Sequence, residues 1–532
     1  MKNKIIDFIK KKNDLIGYIV LALFFVYVQV QIWNNLDASI ESDMSSELVL
    51  AKMLAQQKKI ITTDWFYSTE LKVLHNTLIF APLFLISDNW RFIRMASIVI
   101  LNVILFLSYL YLAKKLKLKH IPWIALLILG ATSRDYYKFV LLGTHYIPDI
   151  AVSFITVGLL ISIFEYEKNK NSKLILLLVL SFLSSISGIR FVSALHIPLL
   201  LSSIIYCIYC QNENIKLPKL DIKDNSFKLF IICLLCFVSS FAGVVVNKFV
   251  LPSLGYSYRL DEVVISYLDL SFENIATVIN GWLLNFGYQS DNLQAFSISQ
   301  LIIKPLFVVF FCLMCYSTFD ILKNRKKYNK YEIFITLYFV VAIVILSLVF
   351  IFTSAWYRNR YLLTISIFEV FIIGIFLKHY EIEWFKWLLI ICISLFSISN
   401  TAFQIKYHVE NDGYGEFVEV KDILLENDCF NGYCDWHWNG HNILTELSNG
   451  QIETWVFAID YDAKNEWLQA KDHLTREPQG KTFLLTENTI FSYDIKPECE
   501  AYKYYQDSER TLYIFDSVEQ MKELITNKGY KG

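Results

Sequence analysis

"DLIGYIVLALFFVYVQVQIW", residues 14–33, is the stretch on which the fold turns. It holds one acid, at its start, and its length is what an α-helix needs to cross a bilayer's hydrocarbon core. Its basic flank, "MKNKIIDFIKKKN", is like that of a secretory leader. The run is too long for a leader, however, and no small-residue cleavage site follows it. The reading is a retained first span with its N-terminus in the cytoplasm.

Working outward, the rest of the chain repeats the pattern. Of 532 residues 55% are hydrophobic and only 19% charged, which excludes an ordinary soluble multidomain enzyme. Further apolar runs lie near 92–112, 121–133, 147–164, 173–189, 191–210, 228–249, 298–319, 332–353, 361–377 and 385–403, giving eleven spans in all. The stretch 76–86 is too short to span and reads as a re-entrant or interfacial helix. Alternate loops are rich in lysine, among them "KKLKLK" (114–119) and "KNRKKYNK" (323–330), and the loops between them are poorer. Lysine and arginine favour the cytoplasmic side, so this alternation places the second set of loops, and everything after about 405, outside. The expected class is mostly α: a polytopic helical bundle over 1–407 with a first outward loop at 34–91, followed by an extracytoplasmic α/β domain over 408–532. In that last part 454–460, 481–486 and 511–516 read as strands and 415–426, 462–475 and 517–526 as helices. No nucleic-acid partner is expected.

Seven of the ten cysteines lie in or beside spans, where small apolar residues are ordinary. "CFNGYC" (429–434) stands apart. Asn-Gly favours a two-residue hairpin that would bring Cys429 and Cys434 face to face, as a disulfide or as two thiols. Cys499 has no partner in this scheme.

The first outward loop opens with "LDASIESDMSSELVLAKMLAQQ" (36–57). In extended backbone Glu41 and Asp43 would share a face and could share a metal or substrate; on a helix they would point apart. The helical periodicity that follows also allows Asp43 to be a plain N-cap and Glu41 a solvated charge. Other ionisable groups appear at similar depth. Glu70, Lys72 and His75 stand in "WFYSTELKVLHNTLIFAPLF" (65–84), His145 and Asp149 in "GTHYIPDIAVSF", and Arg190 and His196 in "SGIRFVSALHIP". Charges at membrane depth are costly and usually face a cavity or a partner, so these form either a site or a structural ion-pair network. Arg358 and Arg360 in "SAWYRNRY" (354–361) suit a phosphate at the membrane surface or plain interfacial anchoring, and Arg94 is a weaker candidate of the same kind.

These residues carry a resemblance. "ESD" (41–43), "THYIPDIAVSF", "STELKVLHNTLIFAPLF" and "RNRYLL" resemble motifs of the GT-C membrane glycosyltransferases, nearest to the protein O-mannosyltransferase and aminoarabinose-transferase branch. Two departures stand out: His145 precedes the "PD" acid where arginine is common, and "VLHNTL" lacks the branch's paired prolines. The resemblance implies transfer of a sugar from a polyprenyl-phosphate donor in the membrane lipid to an extracytoplasmic glycan, lipid or protein. It implies Asp43 as general base with Asp149 beside it, and donor or acceptor binding by Lys72, His75, His145, Arg190, Arg358 and Arg360. A divalent cation (Mg, Mn or Zn) on Glu41, Asp43 and Glu70 is the cofactor expectation. The rival classes are a transporter or lipid-linked glycan flippase, whose polar path would cross both leaflets, and a glycan polymerase or ligase, whose arginines sit in a late loop.

In the C-terminal part, Trp436, Trp438 and Tyr433 could form a sugar-stacking platform or fill a core. His437 and His441 have metal-ligand spacing, but Asn439-Gly440 interrupts a helix between them.

Overall fold

A computed structural model describes residues 2–165, 170–211, 225–258, 272–289, 298–353, 357–411, 413–456, 466–487, 500–502 and 510–527. Cys499, residues 457–460 of the expected strand, residues 462–465 of the expected helix, and the segments 212–224 and 259–271 lie outside them.

The protein is a multi-pass helical bundle. Among the described residues eight helices are long and apolar enough to cross a membrane: Asn13–Asn35, Trp90–Lys115, Ile147–Phe164, Ser226–Ser253, Gln300–Lys323, Lys330–Phe352, Asn359–His379 and Glu383–Asn411. The three remaining expected spans are shorter. Residues 121–133 give two four-residue helices, and 173–189 and 191–210 give Lys170–Ser185 and a π-turn leading into Ile197–Gln211. Pro122 and Gly130 bracket the first of these, which limits the length of helix there. The Asn359–His379 segment is the most enclosed, 89% buried, and packs Phe368 and Phe371 edge-on against Phe154. Outer faces carry exposed Leu15, Ile19, Leu23, Leu107 and Val238, as a lipid-facing surface requires.

Four helices frame one end of the bundle. Helix α1 (Lys2–Asn35) delivers the chain to α2 (Ser42–Gln57), and α3 (Thr77–Phe84) and α4 (Trp90–Lys115) follow. The short apolar stretch expected at 76–86 is thus α3, which packs on α2 and α4. Helix α2 ends where Lys58 turns left-handed (φ 54°) and its N–H bonds back to Ala55 O.

The C-terminal part forms a five-stranded sheet in the order β3-β2-β5-β7-β6, with its own apolar core around Phe417, Leu424, Phe483 and Leu485. Strand β2 (Asn431–Cys434) pairs parallel with β3 (Glu453–Val456) and β5 (Thr482–Glu487). Strands β6 (Glu500–Tyr502) and β7 (Arg510–Phe515) add antiparallel, and Glu416–Glu426 and Val518–Asn527 are the expected helices. Two expectations fail here. Asn431-Gly432 is not a hairpin turn but the start of a central parallel strand. A strand rises roughly 3.3 Å per residue, which carries Cys434 away from Cys429, and both are free thiols. The described part of 462–475 contains no α-helix: β4 (Gln469–Ala470) pairs with β1 (Trp65–Phe66), and a short 3-10 helix follows at Lys471–Leu474.

That β1–β4 ribbon is one of several ties between the sheet region and the bundle. Tyr414 N–H donates to Ala38 O (2.6 Å), and Trp90 N–H donates to Asn449 Oδ1 (3.0 Å). Arg94 is fully buried and donates through Nε and Nη2 to both oxygens of Glu446 (2.8 and 2.7 Å) and through Nη2 to Met44 O (2.8 Å). Arg94 is therefore a structural anchor, committed to a carboxylate and not open to a phosphate.

Candidate active site

The site grows from the start of α2. Glu41 takes the N-cap position in extended backbone (φ −112°, ψ 163°), and Ser45 N–H bonds to its carbonyl (3.0 Å). Asp43 falls in the first helical turn, where the helix dipole favours an anion. Asp43 is thus not the cap, and the two acids leave the helix start in different directions. Glu41 Oε2 meets Lys138 Nζ at 2.8 Å, and Asp43 Oδ1 lies 3.4 Å from His437 Nε2. One turn on, Glu47 accepts from three donors: His75 Nε2 (2.7 Å) and His145 Nδ1 (2.8 Å) at Oε1, and Asn76 Nδ2 (3.0 Å) at Oε2.

A second cluster adjoins the first. Asp149 sits buried in the first turn of the Ile147–Glu165 helix, with Arg190 Nη1 at 4.0 Å. Arg190 also reaches Glu70 (3.5 Å) and donates to Tyr146 Oη (3.3 Å). Gly188, at φ +107°, lets the chain pass Glu70 closely: a Cβ there would lie 3.2 Å from its Cγ. Tyr361 joins the clusters, because the Arg190 guanidinium lies 5.1 Å from its ring and that of Arg360 6.0 Å. Arg360 also covers Phe139 at 4.8 Å. Arg358 is exposed at the N-cap of the 3-10 turn Asn359–Leu362. Lys72 is half-buried and, among the described residues, makes no hydrogen bond or ion pair.

Charge shapes both acids on α2. Burial opposes ionisation of Asp43, but the contact with His437 and the charges of Arg360 and His145 outweigh it and hold the carboxyl below its usual range. Burial likewise opposes Glu47, and His145 and His75 hold it well below. Both are carboxylates at neutral pH. Asp43 can therefore accept a hydrogen bond or a proton from an incoming hydroxyl, and Arg360 beside it can offset an anion.

The expected metal does not fit this donor set. Glu41, Asp43 and Glu70 each face a different nitrogen-bearing side chain, Lys138, His437 and Arg190. Among the described residues no group of three or more His, Cys, Asp or Glu could hold a metal ion. The aromatic platform divides as well. Tyr433 is buried at 8% exposure, while Trp436 (50%) and Trp438 (37%) face outward with ring centroids 5.3 Å apart.

No family model matches the chain, and no curated protein does. Among solved structures the chain is similar to ArnT from Cupriavidus metallidurans in the apo state, with TM-score 0.57 at 9% identity, covering 94% of this chain and 98% of that one. It is also similar to the same ArnT bound to undecaprenyl phosphate, with TM-score 0.56 and the same identity and coverage. The chain has the ArnT fold. The likeness spans both the helical bundle and the C-terminal sheet region, so the two are parts of one shared architecture.

Sequence reasoning missed Glu47, Lys138 and Tyr361, and it set His437 beside His441 as a metal-spaced pair, not beside Asp43. Glu47 had a signal, since it follows Asp43 by four residues on one helical face. Lys138 had a weaker one, as a lysine on a lysine-poor side. His437 had none, because nothing local ties it to α2.

Proposed function

We propose that the protein is a membrane glycosyltransferase that moves a sugar from a polyprenyl-phosphate donor to an acceptor hydroxyl on the extracytoplasmic side. The observation that carries this reading is the placement of Asp43, an ionised carboxylate with Arg360 in electrostatic reach, at one end of an ArnT-fold bundle whose ArnT counterpart was solved with undecaprenyl phosphate. Arg360 offsets the phosphate that leaves, helped by Arg358 and Lys72. Asp43 acts as general base on the acceptor hydroxyl, and Asp149, fixed through Arg190, orients it. The buried walls keep water from competing for the donor. The lysine-rich alternate loops support the sidedness. The groups around Asp43, Glu47 and Asp149 gather near the start of α2, which supports transfer over transport.

The test is Asp43→Asn in cells carrying the full-length protein as their only copy, read by mass spectrometry of envelope glycans. The variant should insert normally and abolish the product. Wild-type product would remove Asp43 from the chemistry.

A further inference from the structure

Asp43 does not stand alone at the start of α2. We propose that the turn Asp435–Asn442 is part of the reaction centre and supplies His437 as a positioning residue for Asp43. The proposal rests on the sugar-transfer reading and adds a second element to its base.

His437 is 1% exposed, on a chain segment that belongs to the sheet and not to the bundle. The turn that carries it is locked from within. Asp435 accepts from Asn439 Nδ2 (2.6 Å) and from Glu487 N–H (2.6 Å), and Asn439 N–H bonds to Trp436 O (3.0 Å). This lock turns Trp436 and Trp438 outward and His437 inward. The imidazole is held edge-on between Trp438 (5.1 Å) and His441 (5.4 Å), and His441 in turn meets the Thr454 hydroxyl at 3.1 Å. Burial holds the His441 imidazole well below its usual range and keeps it neutral. Both His437 ring nitrogens are buried without a hydrogen-bond partner among the described residues, and Nε2 faces Asp43 Oδ1 at 3.4 Å.

The two sides of this contact are fastened together on either side of it. Asn442 Nδ2 donates to Ser46 Oγ (2.9 Å), and Arg94 bonds both Met44 O and Glu446. A lone carboxylate can rotate about its χ2. With Oδ1 facing a fixed imidazole at 3.4 Å, Oδ2 is the oxygen left for an acceptor hydroxyl. Such orientation is worth a large factor in rate, because small misplacements of a reacting group are costly.

The experiment compares full-length wild type with His437→Gln, His437→Leu, Asp43→Asn and the Asp43→Asn/His437→Leu pair. Envelope glycan product, thermal stability in detergent and undecaprenyl phosphate binding by native mass spectrometry are measured for each. His437→Leu fills the same space without a donor and should lower product about 10- to 100-fold, with stability and lipid binding unchanged. His437→Gln keeps a donor near the Nε2 position and should restore much of it. The pair should be no worse than Asp43→Asn, because a residue that acts through Asp43 has nothing left to position. Full product from His437→Leu, or Leu outperforming Gln, would overturn the proposal and leave His437 a packing residue. If Asp43→Asn itself keeps wild-type product, Asp43 leaves the chemistry and His437 has nothing to position; if wild type makes no more product than cells lacking the protein, the sugar-transfer reading fails instead.

Discussion

The Arg94–Glu446 pair is the most consequential contact outside the site, and its removal should be felt in both stability and chemistry. The side chains are 0% and 2% exposed, and they join α4, the first turn of α2 and the Ile443–Leu447 helix. Glu446→Leu leaves a buried guanidinium with a single carbonyl, that of Met44, and Arg94→Met leaves a buried carboxylate. Breaking one partner of a buried pair costs about 3–5 kcal/mol. On thermal unfolding in detergent micelles a loss of that size lowers the midpoint of a 532-residue chain by about 3–5 °C. The double variant Arg94→Met/Glu446→Leu replaces the pair by apolar groups of similar size and should recover most of the loss, to within about 1–2 kcal/mol of wild type. Because Met44 adjoins Asp43, each single variant should also reduce sugar transfer. Single variants within about 1 kcal/mol of wild type, or a double variant as unstable as the two losses added, would refute the reasoning.

Two further outcomes follow from local geometry. Asp435 is held up to about 6 by burial, against 3.8 in an exposed chain. The folded state keeps that proton between those values while the unfolded state gives it up, so this group makes stability fall as pH rises from about 4 to about 6, by about 3 kcal/mol in all. Unfolding midpoints of wild type and Asp435→Asn across that range should show the slope in the first and not the second. Gly188→Ala places a side chain at φ +107° against Glu70 and should cost about 1–2 kcal/mol from the backbone alone. It should also reduce transfer by pushing Glu70 off Arg190; an unchanged midpoint and unchanged product would count against that contact.

Some of this was legible in the chain itself and some was not. Bilayer-length apolar runs have one stable outcome in lipid, a helix, so the bundle and its longer spans could be read directly. The strands at 482–487 and 510–515 and the helices at 416–426 and 518–527 were visible for a similar reason, since each is a short run with its own period. Asp43, Asp149, His145 and Arg360 could be singled out because charge at membrane depth is costly and therefore rare.

What failed shares a cause. "CFNGYC" has hairpin chemistry, but its backbone pairs on both sides with strands from elsewhere, and long-range pairing overrode the local turn preference. Arg94 looked like a phosphate ligand until Glu446, distant in sequence, filled its fork. The metal expectation on Glu41, Asp43 and Glu70 assumed that these acids converge, whereas each faces a side chain from a different segment, Lys138, His437 and Arg190. Sequence determined which elements form, because that depends on local hydrophobicity and period. Only tertiary structure decided which charges meet, because a buried charge takes whichever partner the packed helices and sheet bring within a few ångströms. His437 over Asp43 is the plainest case.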